Sequence, residues 1–480
     1  MAYDNLRDFI KILEEKGQLK RISIEVDSDM EISEITSRVN EKFGPALLFE
    51  KVKGHNIPVL INAFGSDKRM ALALGEESID NIAKRIEIML KTEMPITLWD
   101  KIHSILKLKE FAYLSPKIVS SGQCKEVIIR DNPSLDIFPI LKCWPLDGGK
   151  FITLPIVYTK DPDTGIRNAG MYRLQVFDNK SLGMHWHLHK HGAKHYRRCC
   201  ELGKKLEVAI ALGGDPAITY AASAPLPDNV DEMILAGFLR KKSVELVKCE
   251  TVDLEVPQNA EIVLEGYVNP GETRLEGPFG DHTGYYSLPD QYPVFHLTCI
   301  THKKNPIYPT TVTGKPPRED CYMGRTSQKI FFPLLRMNLP ELVDMELPLE
   351  GVFHNLAVVS INKQYPTHAK KVMHALWGLG QMMFTKIIIV VDKETNVHDL
   401  SEVIWRVGNN IDPRYDIEFV EGPIDALDHA SRKRYISTKM GIDATRKWKE
   451  EGFDREWPER IEMNQEIINL VDRKWKDYGI

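Results

Sequence analysis

Residues 274–286 read RLEGPFGDHTGYY, placing two acids, Glu276 and Asp281, around a Gly-Pro-Phe-Gly segment, with Arg274 before it and His282 directly after. Gly277, Pro278 and Gly280 break any helix, so a turn presents these acids and no helical face stacks them. Such a turn can aim two carboxylates at one pocket. Two acids held close to each other and to an arginine acquire separated pKa values, one staying ionised while the other can hold a proton for transfer. Taken alone, the same turn is compatible with acids that simply face water.

Two further stretches could carry chemistry. NAGMYRLQVF, residues 168–177, reads as a buried strand with Arg173 between Tyr172 and Leu174. An arginine there needs a fixed anionic partner, unless the strand turns that face to solvent. GMHWHLHKHGAKHY, residues 183–196, carries His185, His187, His189, His191 and His195. Strand alternation would put the first four on one face, with next-but-one neighbours about 6.6 Å apart. One metal ion cannot take all four. One imidazole as ligand, the others as hydrogen-bond donors and Lys190 as a phosphate contact fits better than a zinc cluster, and a solvated His-rich strand is the alternative.

The elements that must position these residues follow from size and pattern. A chain of 480 residues is too long for one compact core and implies two or three domains. With 43% hydrophobic and 27% charged residues the composition is globular, and a net charge of -5 gives no attraction to nucleic acid or an anionic membrane. The N-terminal MAYDNLRDFIKILEEKG is interrupted by charges, so neither a secretory signal nor a membrane span is expected there, and the longest aliphatic run is Ile387 to Val391. Seven scattered cysteines without a CxxC pair fit reduced thiols in a cytoplasmic protein.

Leu6, Phe9, Ile10 and Leu13 recur at helical spacing after Asn5 as N-cap, with Gly17 as the stop. Ile22, Ile24 and Val26 then alternate as a half-buried strand does, and a helical pattern covers residues 78–93. These make residues 1–115 an N-terminal α/β region. From 116 to 315 short β-rich runs such as FITLPIVYT, LEVAIAL and AEIVLEGYV predict a barrel or sandwich. From 316 to 480 NLAVVSI, KIIIVVD and DIEFVEG read as strands of a parallel sheet. Val372, Ala375, Leu376, Leu379, Met382 and Met383 form a helical stripe between the first two of them, and the methionine pair reads as core. The last thirty residues predict a terminal helix suited to packing on a second subunit. The fold class is α/β, α+β overall.

Taken together and in order, NAGMYR, HWHLHKHGA, DLEVPQNAEIVLEG, LEGPFGDHTGYY, HAKKVM and TKMGIDAT resemble the UbiD family of reversible decarboxylases over essentially the whole chain. The loop with Asp281, His282, Thr283 and Gly284 is most similar to the branch acting on 3-polyprenyl-4-hydroxybenzoate in ubiquinone biosynthesis. The ferulic-acid-type branch typically shows Glu at the position of Asp281.

The resemblance implies that the central region is a split-barrel domain binding prenylated FMN, a cofactor supplied by a partner flavin prenyltransferase. It implies a metal, Mn²⁺ or alternatively Mg²⁺, with K⁺ nearby, on Asn168, His189 and Glu232, His191 being the alternative to His189. Oxygen-rich ligands with one imidazole suit these ions better than Zn²⁺. Cofactor contacts would fall on Met171, Tyr172, Arg173, His185, Trp186, His187, Lys190 and His191, with Lys370 as a further candidate. Arg173 would orient the substrate carboxylate and hold Glu276, and Asp281 would deliver the proton after CO₂ leaves.

The expected substrate is an aromatic acid of the (polyprenyl-)4-hydroxybenzoate type. Other phenolic, naphthoic or heteroaromatic acids, or carboxylation under high CO₂, are alternatives. A homo-oligomer, dimer or hexamer, is expected, with peripheral membrane association only for a polyprenylated substrate. A different class of protein would use Glu276 and Asp281 as metal ligands in a flavin-free binding or hydrolytic module.

Overall fold

The computed structural model describes residues 3–90, 114–187, 190–227 and 230–480. The first helix, Leu6–Glu15, buries Leu6, Phe9, Ile10 and Leu13, and the Asn5 side chain accepts from the amides of Arg7 and Asp8. Sequence pattern and structure agree here because every determinant is local. The strand Leu19–Val26 departs from its expected alternation: its register with Ala46–Val52 shifts between Ile22 and Glu25, and Ile24 is turned 71% exposed. A bulge of this kind breaks the two-residue period. The helix Asp80–Leu90 lies within the helical pattern read there.

The centre is a nine-stranded sheet curled into a half-barrel. Its path runs Phe151–Ile152, Leu174–Asp178, Ser181–Met184, Asp290–His302, Ile262–Glu276, Leu206–Leu212, Ile156–Lys160 and Arg167–Met171, with Val127–Ile129 added beside Asp290–His302. One connection explains the curl. Arg167–Met171 and Leu174–Asp178 are eighth and second in the path, six steps apart, which in a flat sheet would separate them by about 29 Å. They are consecutive in the chain, and the three Cα steps from Met171 to Leu174 reach at most about 11 Å. The sheet therefore rolls until its margins approach, and Tyr172 and Arg173 bridge the seam. This corrects the reading of residues 168–177 as one strand.

The C-terminal five-stranded sheet has the order Leu342–Glu346, Leu356–Ile361, Ile387–Asp392, Ile436–Asp443, Ile417–Pro423. The second, third and fourth strands are parallel, as a β-α-β unit requires. Ile417–Pro423 runs antiparallel to Ile436–Asp443, so the expectation that DIEFVEG belongs to the parallel set fails. The helix His368–Trp377 buries Val372 and Leu376, while Leu379 and Met382 follow in a separate short turn and pack on the same core. The C-terminal helix Gln465–Lys474 buries no residue. Among the described residues no helix is long and apolar enough to cross a membrane.

Candidate active site

Arg173 occupies the seam of the half-barrel with only 8% of its side chain exposed. Its guanidinium lies 4.5 Å from the centroid of the Phe279 ring. Nε donates to Glu276 Oε1 at 2.9 Å and Nη2 to Glu276 Oε2 at 3.2 Å, a two-pronged clasp on one carboxylate. Nη1 donates to Asp281 Oδ2, and Nη2 also reaches Ser287 Oγ at 2.9 Å. One planar cation thus joins both acids of the RLEGPFGDHTGYY stretch. Arg274, their neighbour in sequence, bonds Asp178 and Ser181 instead and remains half exposed.

Each acid has its own support. Glu276 ends the long strand Ile262–Glu276 and is fully buried. Gly183 faces it, and a Cβ there would lie 3.3 Å from Glu276 Cγ and 2.8 Å from the Phe177 ring. Gly277 turns the chain with φ +98°, and its amide donates to Gln175 Oε1 at 2.7 Å. Phe279–Gly280 then pairs with Tyr286–Ser287, and Asp281 opens the loop of that hairpin. The turn is docked on residues 144–148: the Gly280 amide donates to Asp147 at 2.8 Å, and a Cβ on Gly280 would sit 2.1 Å from Trp144 Cδ1.

Burial opposes ionisation of Glu276, yet the His185 hydrogen bond and the Arg173 charge outweigh it and pull the carboxyl down to about 2. Burial opposes ionisation of Asp281 too, and Arg173 followed by His282 holds it well below the usual carboxylate range. Arg173 itself is raised: desolvation is outweighed by Asp281 and Glu276. Both acids are therefore ionised at rest, where the sequence suggested one ionised and one protonated. Desolvation and Arg173 lower His185, keeping its ring neutral. Its Nδ1 meets Glu276 Oε2 at 3.0 Å and its Nε2 meets His187 Nε2 at 2.6 Å, so Nδ1–H donates to the carboxylate and Nε2 accepts from His187. Tyr292 packs on the His185 ring with centroids 4.3 Å apart.

A second group of predicted residues lines one small cleft: Asn168, His191 and Glu232, with Arg167 and Lys194. Glu232 Oε2 accepts from the Ala169 amide at 2.9 Å, and burial pushes its carboxyl up to about 7. Asn168 Nδ2 and Arg167 Nε and Nη1 are enclosed without a hydrogen-bond partner among the described residues. A carboxylate short of positive charge fits a hard cation, and the unpartnered Asn168 amide N–H and Arg167 guanidinium donors fit a phosphate beside it. The helix His191–Glu201 opens at this cleft, its first amides being donors suited to an anion.

His189 lies outside the described residues. Among the described residues no three His, Cys, Asp or Glu side chains form a metal-holding group. The single-strand reading of residues 183–196 is corrected: the strand stops at Met184 and a helix starts at His191, so His191 leaves the face of His185 and His187. Trp186 is buried with Nε1 unpartnered among the described residues, and Tyr172 packs against it edge-on at 6.5 Å. Met171 donates its amide to Ala222, Lys190 is the exposed N-cap of the His191 helix, and both flank the cleft in sequence. Lys370 pairs with Glu418 at 3.0 Å on the C-terminal edge strand, 40% exposed, and the structure does not bring it to the cluster. Ser287, Tyr292 and His354 belong to the site's surroundings and were not legible in the motifs: each is brought in by tertiary pairing, with no local pattern to mark it.

The chain resembles known proteins along its length. Three family models match, described as the N-terminal, Rift-related and C-terminal domains of 3-octaprenyl-4-hydroxybenzoate carboxy-lyase (UbiD), over residues 10–89, 117–316 and 321–444. An uncharacterized protein of Archaeoglobus fulgidus is 53% identical over 99% of both chains. The fold superposes on an evolved dimeric form of the UbiD-class enzyme HmfF of Pelotomaculum thermopropionicum in complex with prFMN, with a TM-score of 0.81 and 31% identity over 98% of this chain and 100% of that one. It also superposes on the closed form of vanillic acid decarboxylase of Sedimentibacter hydroxybenzoicus, with a TM-score of 0.85 and 28% identity over 100% and 99%.

Proposed function

The chain belongs to the UbiD family and is a carboxy-lyase, and on that premise we propose that it performs prenylated-FMN-dependent, reversible, non-oxidative decarboxylation of an aromatic acid. The acid we propose is of the (polyprenyl-)4-hydroxybenzoate type, leading to a quinone; the name of the matching family models supports this choice. The observation that carries the reading is the buried Arg173 clasping Glu276 and Asp281.

When bound, the modified flavin would supply the electron sink needed by an sp² carbon that loses CO₂. Arg173 fixes both acids and offers positive charge where a substrate carboxylate must enter. Glu276 stays ionised and, with neutral His185, sets the position of the guanidinium. Asp281 takes up a proton and delivers it to the ring carbon that CO₂ has left. Glu232, the Asn168 oxygen and His189 would hold Mn²⁺ or Mg²⁺, with the Arg167 and Lys194 charges beside a cofactor phosphate. Tyr172, Trp186 and Met171 are proposed to bound the flavin. A flavin prenyltransferase is proposed as supplier, and the exposed C-terminal helix supports a homo-oligomer.

A flavin-free module with Glu276 and Asp281 as metal ligands gains no support, because Arg173 already fills the role of their cation. The test is protein co-produced with a flavin prenyltransferase. A bound prenylated flavin in the absorption and mass spectra, and CO₂ release from a panel of phenolic, naphthoic and heteroaromatic acids, are expected. Protein that binds no flavin under these conditions and releases no CO₂ overturns the reading.

A further inference from the structure

Asp281 is a carboxylate in the resting cluster, while every CO₂ lost leaves a carbon that must gain one proton. The source lies within hydrogen-bond reach. Asp281 Oδ1 is 2.8 Å from His282 Nδ1, and His282 Nε2 is 2.8 Å from His354 Nε2. Two imidazole nitrogens at this separation share one hydrogen, one as donor and one as acceptor. The side chain of Asp281 is 6% exposed and that of His282 12%, whereas His354 is half-buried, so the pair leads outward from the acid. His354 Nδ1 is enclosed and has no hydrogen-bond partner among the described residues, so a solvent proton reaches it only through a bound water.

The pair is held in place from both sides. The Phe353 ring packs 5.1 Å from His282 and 5.1 Å from His354. Val352 and Phe353 adopt φ of +48° and +55°, a left-handed backbone that side chains disfavour and that persists only where surroundings impose it. Gly324 makes room: a Cβ there would sit 2.5 Å from Phe353 Cβ.

We propose that His282 and His354 form a two-imidazole relay that recharges Asp281 with one solvent proton per CO₂ released, His354 acting as the positioning residue at its outer end. This rests on the decarboxylase reading above. A proton joins His354 at Nδ1, the Nε2 proton of His354 passes to Nε2 of His282, and the Nδ1 proton of His282 passes to Asp281 Oδ1, which gives its proton to carbon. One proton enters and one leaves, no electron is transferred, and carboxylation runs the same path backwards. The two rings exchange tautomers between turnovers.

The charges around the pair agree with this path. Burial disfavours charge on His282, but the hydrogen bond and charge of Asp281, with Asp320 and Asp425, raise its pKa. Burial and the His282 charge bring His354 down to about 4 against Asp425, Asp281 and Asp428. His282 is thus the more basic of the two rings, so a proton that enters at His354 moves inward toward the acid.

The test uses cofactor-loaded His354→Gln, whose amide can keep a hydrogen bond to His282 and so preserve folding, checked by its thermal midpoint. A fall in kcat on the order of 10²-fold, the lower end for a positioned proton-transfer group, is expected with KM unchanged, the alkaline limb of the pH profile moved to lower pH, and partial rescue by added imidazole. Unchanged kcat and pH profile, or a loss that imidazole does not restore, overturns the relay. Nitrogen-15 histidine spectra of the cofactor-free chain decide it independently of turnover. Linked titration of His282 and His354 is expected, and independent midpoints sink the relay. Wild-type protein that releases no CO₂ while showing linked titration sinks the decarboxylase reading and leaves only the coupling of the two imidazoles standing.

Discussion

Arg173 and Asp281 stand 108 residues apart in the chain, yet the guanidinium of the first donates directly to the carboxylate of the second, both side chains being buried. Replacing Asp281 by Asn keeps the volume and removes the proton-carrying oxygen. We expect turnover to fall by about 10²–10⁴ with the flavin spectrum and cofactor stoichiometry unchanged. A purified, loaded Asp281→Asn protein with undiminished CO₂ release removes Asp281 from the proton-delivery role.

Arg173→Lys retains the charge and loses the fork. Lysine cannot clasp Glu276 with two donors and reach Asp281 and Ser287 as well, so CO₂ release should drop sharply. Arg274→Ala is the matched control: its partner Asp178 is half exposed, and such pairs contribute at most about 1 kcal/mol. Equal losses of activity in the two variants would contradict the assignment.

Glu276 ties the cluster to acid stability. A carboxyl whose folded pKa is depressed contributes stability that is present above its unfolded value and disappears as pH falls through the folded one. For Glu276 that window runs from 4.5 down to about 2, with an upper bound of about 3 kcal/mol. Unfolding midpoints of wild type and Glu276→Gln should differ most at neutral pH and converge as pH drops through this window. A gap that stays constant down to pH 3 would show that the pair's charge carries no stability.

The cleft around Asn168 can be probed with Mn²⁺ alone. Binding to the folded chain raises the thermal midpoint by mass action, and Glu232→Gln should abolish that rise along with the protein-bound Mn²⁺ signal in electron paramagnetic resonance. Retention of both in the variant takes Glu232 out of the ligand set.

The C-terminal segment carries apolar side chains turned to solvent, among them Ile461 at 100%, Met463 at 63%, Trp475 at 52% and Ile480 at 84% exposure. Truncation before Ile461 is expected to lower the mass measured by light scattering while leaving the Arg173 cluster folded. An unchanged mass would move the subunit contact elsewhere.

What the sequence made legible follows the range of the forces involved. The Leu6–Glu15 helix was readable because its stripe, cap and stop lie within thirteen residues. The Arg173, Glu276 and Asp281 group was reachable through ordered motifs, and its exclusion of Arg274 followed from the sheet. The antiparallel direction of Ile417–Pro423 was missed although Glu418 and Glu421 interrupt its apolar residues, unlike the continuous apolar run of the parallel strand Ile387–Asp392. The histidine run misled because a period of two persists in the letters after the strand has ended at Met184. His354 left no mark at all: it meets His282 across 72 residues and through a left-handed turn of Val352 and Phe353.

The two-residue bridge of Tyr172 and Arg173 has a consequence for how the molecule comes apart. A sheet with free margins can fray strand by strand, but here the margins share a stitch, and the side chain in that stitch is the one that clasps both acids. Loosening Arg167–Met171 or Leu174–Asp178 pulls the guanidinium off its carboxylates, and neutralising the carboxylates slackens the stitch. Amide protons of the two strands should therefore exchange with solvent as a single cooperative unit, so that the reaction chamber is either wholly assembled or wholly open.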